Sequence, residues 1–199
     1  MLSLNKVGNT RLDLNDASGA LADYEEGLAI SRKLVEQDAS NPRSPRDLAT
    51  SLEKVGEAKL KLDDAKGALA AFEEDLTLRK RIADGNKANY EWQRDVSFVL
   101  DRVGSAKLAL KDAPGALAAF EERLAISRDL AELRKGSTEA QTDLVVGLYK
   151  LAEVADGERK GAVIDEGLQI LARLDADGKL SDDQKGWSEW FLTLRNGSQ

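Results

Sequence analysis

The segments GALADYEEGLAIS (19–31), GALAAFEEDLTLR (67–79) and GALAAFEERLAIS (115–127) are one sequence met three times, 48 residues apart. Moving outward, Val7-Gly8, Val55-Gly56 and Val103-Gly104 keep the same spacing, and so do Asp16, Asp64 and Asp112. A fixed period of this size is the signature of a repeat array in which each unit buries its apolar face only against its neighbours. The expected fold is therefore all-α: antiparallel helical hairpins stacked as a solenoid.

Each unit reads as two helices. In the second unit Leu48, Leu52, Val55, Ala58, Leu60 and Leu62 follow helical spacing. Ser44 before Pro45 suggests an N-cap followed by the first helical position, so the first helix is expected over 45–62. Asp63-Asp64 interrupts the pattern, and Ala68, Leu69, Phe72, Leu76, Leu78 and Ile82 form the stripe of a second helix. Asp16, Asp64 and Asp112 are placed to cap these second helices. QDASNPRSP (37–45) and DGNKAN (84–89) separate units, and Gly136-Ser137 closes the third. Thr138 with Gln141 reads as a capping box opening the fourth.

The fourth unit is degenerate. GLYKLAEVA (147–155) aligns with SLEKVGEAK (51–59), and DEGLQILARL (165–174) echoes YEEGLAISRKL (24–34), with about four residues deleted between the helices. A last helix over about 182–195 opens at Ser181 with Gln184 and carries Trp187, Trp190, Phe191 and Leu194 on one stripe. It is expected to cap the array, since terminal repeats must cover an open core face. The expected organisation is a repeat array over 1–176, in units of about 1–40, 44–84, 89–135 and 138–175, and then 177–199 as turn, capping helix and disordered tail. The first unit lacks room for an equivalent of Arg46-Asp47-Leu48, which suggests a clipped first helix or a piece of a longer array.

Gly8, Gly56 and Gly104 sit in mid-helix, where glycine costs about 1 kcal/mol relative to alanine. A cost repeated at every unit implies a compensating fit. The missing Cβ lets the second helix approach closely, Ala20, Ala68 and Ala116 supply its small matching residue, and Tyr24, Phe72 and Phe120 wedge between hairpins.

Composition bounds the function. The chain has 199 residues and a formal charge of −7, which disfavours nucleic acid, a ligand that needs clustered Lys and Arg. It contains no Cys and no His. Disulfides, thiol chemistry, imidazole acid–base catalysis, Ser-His-Asp triads and the usual zinc ligands are thereby removed. No phosphate-cradling glycine motif and no cofactor motif is present. No apolar run suits a membrane span, and MLSLNKVGNT lacks a signal-peptide core, so a cytoplasmic protein is expected.

A small Gly in the first helix, Ala twelve residues later and an aromatic four beyond it resembles the tetratricopeptide repeat. The match is at Gly8/Ala20/Tyr24, Gly56/Ala68/Phe72 and Gly104/Ala116/Phe120. The stretch 91–130 looks like the long-helix repeats of bacterial multi-repeat proteins. The period departs from the family's usual 34, so helices of roughly 18–20 residues, about 28 Å, are expected. Arg11, Lys59 and Lys107 stand where the family often places a large aromatic, and the proline ending the second helix is missing.

The resemblance implies a right-handed superhelix whose concave face, lined by the first helices, binds peptides or proteins. By that analogy the groove positions are Asn5, Glu53, Asp101 and Tyr149, and one turn on, Asn9, Glu57, Ser105 and Glu153. This set leans acidic and suits a basic or polar peptide. The expected role is a non-catalytic interaction scaffold. The alternative is a self-assembling module that stacks through its first repeat.

Other features read more plainly as structure. RLDADGKLSDDQ (173–184) resembles a calcium loop, but Arg173 and Gln184 occupy the first and last ligand positions, so a helix-stop turn at Gly178 is the better reading. The Glu pairs 25–26, 73–74 and 121–122 suit solvated helix faces near the positive end of the dipole. Trp187 and Trp190 suit core packing, and Trp92 is expected against the preceding second helix.

Overall fold

A computed structural model describes residues 2–38, 41 and 43–197; the side chains of residues 2 and 3 are outside the description. Parts of the 37–45 breaker and the end of the expected tail therefore lie outside the described residues. Among those described the structure is helical, with no strand: α1 (Leu2–Asp13), α2 (Ala17–Gln37), α3 (Ser44–Lys61), α4 (Ala65–Asp84), α5 (Tyr90–Ala109), α6 (Ala113–Leu133), α7 (Thr138–Val154), α8 (Gly157–Ala176), α9 (Asp182–Lys185) and α10 (Trp187–Asn196). The chain forms two compact units, Met1–Asp112 and Ala113–Gln199.

In the first unit α1 to α5 pack in chain order, each helix against the next. The turn inside each hairpin is set by two devices. Asn15, Asp63 and Lys111 adopt left-handed φ values of 60°, 59° and 62°, reversing the chain in one residue. The next residue then caps the second helix: Asp16 Oδ1 accepts from Gly19 N at 2.9 Å, and Asp64 Oδ1 from Gly67 N at 2.8 Å. This explains the repeated third-position glycine, because a Cβ on Gly19 or Gly67 would lie 2.7 or 2.8 Å from the capping Cγ.

Mid-helix glycine is explained as the sequence suggested. A Cβ on Gly8 would sit 2.8 Å from Tyr24 Cζ, and one on Gly56 2.8 Å from Phe72 Cδ1. Ring and backbone thus touch directly, and Ala20, Ala68, Tyr24 and Phe72 are fully buried. Tyr24 also reaches the next hairpin, where Val55, Ala58 and Ala71 join its cluster. Gly104 in the first unit, and Ala116 and Phe120 in the second, are likewise buried.

The missing aromatics of the first helices are replaced by cations that tie the hairpins. Arg11 donates to Gly19 O at 2.9 Å and pairs with Asp23 at 3.2 Å. Lys59 reaches Glu25 of the preceding unit at 3.3 Å, and Lys107 reaches Glu73 at 3.8 Å. The first Glu of each pair is thus a link between units rather than merely a solvated charge. Arg32 binds Glu74 at 2.7 Å in the same spirit.

In the second unit α6, α7 and α8 pack in order, and α10 lies against α8 and α7. Arg159 pairs with Glu121, and Arg128 with Glu166 at 2.5 Å. Phe191 is fully buried against Gly167, whose Cβ would meet Phe191 Cε1 at 2.7 Å. The ring-on-glycine contact of the hairpins is therefore reused to dock the capping helix.

Four local expectations need correction. Ser44 is not an N-cap but lies inside α3, buried. The cap position is Arg43, which makes no capping side-chain bond, while Asn41 Oδ1 accepts from Arg43 N at 3.0 Å. The fourth unit opens at Ser137, which accepts from Ala140 N at 3.3 Å; Gln141 instead donates to Ala131 O and accepts from Arg173. Burial of Gln141 between helices outcompetes the local box. The last helix is interrupted at Gly186, although the Ser181–Gln184 capping box forms. Trp190 is 45% exposed and stacks on Trp187 rather than entering the core. Gly178 does adopt a left-handed φ of 65°, ending α8 as a stop turn.

Candidate functional site

In the first unit the expected groove positions fall on α1, α3 and α5, the first helices of three successive hairpins. They are half-buried to exposed, and none is part of the core. Asn9 Oδ1 accepts a 2.6 Å bond from the Tyr24 hydroxyl, so it is held by its own hairpin. Asn5 lies against Gly27, 3.6 Å from the position of a Cβ there. Glu57 takes Lys54 at 2.8 Å and Arg102 of α5 at 3.0 Å, which bridges two first helices. Asp101 and Ser105 continue the two rows on α5. In the second unit Tyr149 and Glu153 stand on α7. Glu153 is paired with Lys150 at 2.9 Å, and Tyr149 packs edge-on to Phe191 and beside Trp190, at centroid distances of 5.6 and 5.7 Å.

Glu53 belongs to an ionic centre, built on the buried Asp75, that sequence reasoning missed. Arg79 of α4 donates from Nη2 to Glu53 at 2.7 Å and from Nε to Asp75 Oδ1 at 2.8 Å, and its Nη1 lies 3.3 Å from Asp95. One guanidinium thus joins α3, α4 and α5 through three carboxylates. Asp75 is completely buried, and its Oδ2 has no hydrogen-bond partner. Burial pushes its carboxyl up to about 7; Arg79 opposes this, and Glu53 and Asp95 add to it. Asp75 stands one period from Arg123, yet no neighbouring residue type announces the centre.

Farther toward the start of the first helices, the same unit carries cation–aromatic pairs. Arg46 stacks on Trp92 at 4.4 Å, and Arg94 on Phe98 at 4.8 Å. The Arg46–Trp92 pair separates two recesses. One, of about 470 Å³, is walled by Val35, Pro45, Leu78, Ile82 and Trp92. The other, of about 230 Å³, is floored by Arg79 and Ile82 beside Asp95. The only hint in the sequence was Trp92, read there as a packing residue.

Among the described residues no cluster of His, Cys, Asp or Glu is arranged to hold a metal ion, and no helix is long and apolar enough to cross a membrane. No protein-family model matches the chain. No curated protein matches it either.

Solved structures do resemble it. The TPR-like repeats of a proposed kinesin light chain from Podosopora anserina, in a point-variant form, align over 98% of this chain and 86% of theirs, with a TM-score of 0.64 and 12% identity. A second structure of those repeats aligns over 99% and 95%, with a TM-score of 0.60 and again 12% identity. At that identity the likeness speaks for the fold alone. The chain has the all-α, helical-hairpin solenoid architecture of TPR-like repeat proteins.

Proposed function

We propose that this chain is a non-catalytic protein-interaction scaffold, a tetratricopeptide-type array of 48-residue period that holds a partner segment along its first helices. The observation that supports the reading is the polar row Asn5/Glu53/Asp101 with Asn9/Glu57/Ser105, half-buried to exposed on three successive first helices. In sequence register Tyr149 and Glu153 hold the same two positions on α7 of the second unit. Solenoids with such faces bind extended partners, because each unit repeats the same spacing of side chains. The row carries Glu53, Glu57 and Asp101, which favours a polar or basic segment. The cations already bound to Glu53 and Glu57 moderate that preference rather than reverse it.

The test is a binding screen with synthetic twelve-residue peptides graded from acidic to basic, read by fluorescence anisotropy. Basic and polar peptides are expected to bind, and Glu53→Lys with Glu57→Lys and Asp101→Lys to abolish binding in a chain that keeps its helical circular dichroism. Binding indifferent to the triple change, or none at all, overturns the reading.

A second reading, stacking of copies through the first repeat, is favoured by one observation. Val7 is 45% exposed, whereas Val55 and Val103, at the same position, are each 3% exposed. Light scattering that shows a concentration-independent monomer would remove it. Association that Val7→Lys dissolves would support it.

A further inference from the structure

The 470 Å³ recess in the first unit has the makings of a ligand site that is separate from the polar row. Its size falls within the range of about 300–1,000 Å³ typical of small-molecule pockets. Four helices contribute: Val35 from α2, Pro45 from α3, Leu78 and Ile82 from α4, and Trp92 from α5. The walls are aliphatic and aromatic.

The mouth is cationic. Arg46 and Arg81 both line it. Elsewhere in this acidic chain guanidiniums are engaged: Arg11, Arg32, Arg79, Arg102, Arg128 and Arg159 all hold carboxylates. Among the described residues Arg46 and Arg81 form no hydrogen bond or ion pair through their side chains, although the chain carries seven more acidic than basic groups. Arg46 instead lies over the Trp92 ring, its Cζ 4.4 Å from the centroid, which leaves its N–H groups for a ligand at the mouth. Asp38 also touches the rim, which leaves the mouth with one net positive charge.

We propose that this recess binds a free amphiphilic monocarboxylate, an acyl or aryl chain buried between Val35, Leu78, Ile82 and Trp92 with its carboxylate on Arg46 and Arg81. Charge complementarity selects the anion, because a carboxylate matches the guanidinium fork in shape and charge. The apolar walls select the tail. The volume suits a whole small molecule more than one side chain of a docked partner. The inference does not depend on the polar row, and its test uses different residues.

The experiment is a titration of the full chain with octanoate, followed by the indole N–H resonance of Trp92, which is assigned from the Trp92→Phe variant. Octanoate is expected to shift that resonance saturably. Octanamide, with the same tail and no charge, should bind at least tenfold more weakly, and acetate should leave the resonance unmoved. Arg46→Gln and Arg81→Gln, both on exposed side chains, should each weaken octanoate by roughly tenfold. Ile82→Trp should block it by filling the recess while leaving both charges in place.

No shift with octanoate, equal binding of octanamide, or undiminished binding to Ile82→Trp overturns the proposal. So does saturable binding of a leucine-terminated hexapeptide where octanoate has no effect, since the occupant would then be a chain end rather than a free acid. Circular dichroism of each variant separates loss of binding from loss of fold.

Discussion

Phe191 lies on Gly167 with the ring against bare backbone, at the same chain separation that sets Gly147 beneath Arg123. The capping helix α10 therefore occupies the place of one more first helix, although the sequence there shares nothing with the 48-residue repeat. Phe191 is the buried residue of α10, helped by the Tyr149–Trp190 contact and the Arg195–Asp165 ion pair. Phe191→Ala should remove about 3 kcal/mol of local packing. Hydrogen exchange should rise sharply in α10 and modestly in α8, and remain unchanged in α3 and α4, because units of such arrays open locally. Uniform loss of protection across the chain would refute local docking.

Gly56→Ala should destabilise the chain in spite of alanine's better helix propensity. The propensity gain is about 1 kcal/mol. Against it stands a Cβ forced into the Phe72 ring, an overpacking that typically costs about 1–3 kcal/mol. A net loss is expected in urea unfolding, and Phe72→Leu in the same chain should lessen it, since the two sites share one contact. Additive effects would show that ring and glycine are not coupled.

Lys111→Gly should stabilise the turn between α5 and α6. Lys111 holds a φ of 62°, where Asn15 and Asp63 serve at the equivalent turns. A side chain in this region costs about 1–2 kcal/mol, and Asn and Asp tolerate it better than Lys. A rise in unfolding free energy of about 1 kcal/mol is expected for Lys111→Gly, less for Lys111→Asn, and a loss for Asp63→Ala. Thermal melts that rank these three otherwise would contradict the assignment.

Asp75 sets an unusual pH dependence. Its carboxyl is raised from 3.8 to about 7 in the folded chain, chiefly by burial. The folded state therefore holds this proton more tightly than the unfolded state. Its contribution to stability is fully present below about pH 4, declines as the pH rises through about 7 and is constant above that. Asp75→Asn keeps an oxygen for Arg79 Nε and removes the charge. Relative to wild type it should gain a few kcal/mol in urea unfolding at pH 8 and little at pH 4. A difference between the two chains that is the same at both pH values would exclude Asp75 as the titrating group.

The hairpins, their lengths and the glycine–aromatic contacts were legible because they recur: three copies of Gly8/Ala20/Tyr24 at one spacing leave little freedom. Helix bounds that depend on capping were less secure. Ser44 and Thr138 have the chemistry of caps, but burial at Ser44 and the Gln141–Arg173 bond decide otherwise, and both depend on neighbours distant in sequence. The partnership of Gly167 and Phe191 went unread because the sequence around Phe191 does not resemble the repeat, although its spacing from Gly167 is kept. The candidate groove was read as acidic because single residues were counted. The guanidinium of Arg79, brought in from the second helix, cannot be placed beside Glu53 and Asp95 without the packing itself.

The junctions from the second helix of one hairpin to the next helix stacked on it each carry a different key. Ser31 bonds Ser51 at 2.8 Å, Arg79 reaches Asp95, Arg123 reaches the Asp143 carbonyl at 3.4 Å, and Phe191 fits Gly167. Near-identical units would otherwise be interchangeable, and a growing chain could zip together one repeat out of step. Four dissimilar seams penalise that slippage, so the order of the cassettes is written into the joints, and transplanting one unit into another's place should leave a mismatched seam on either side.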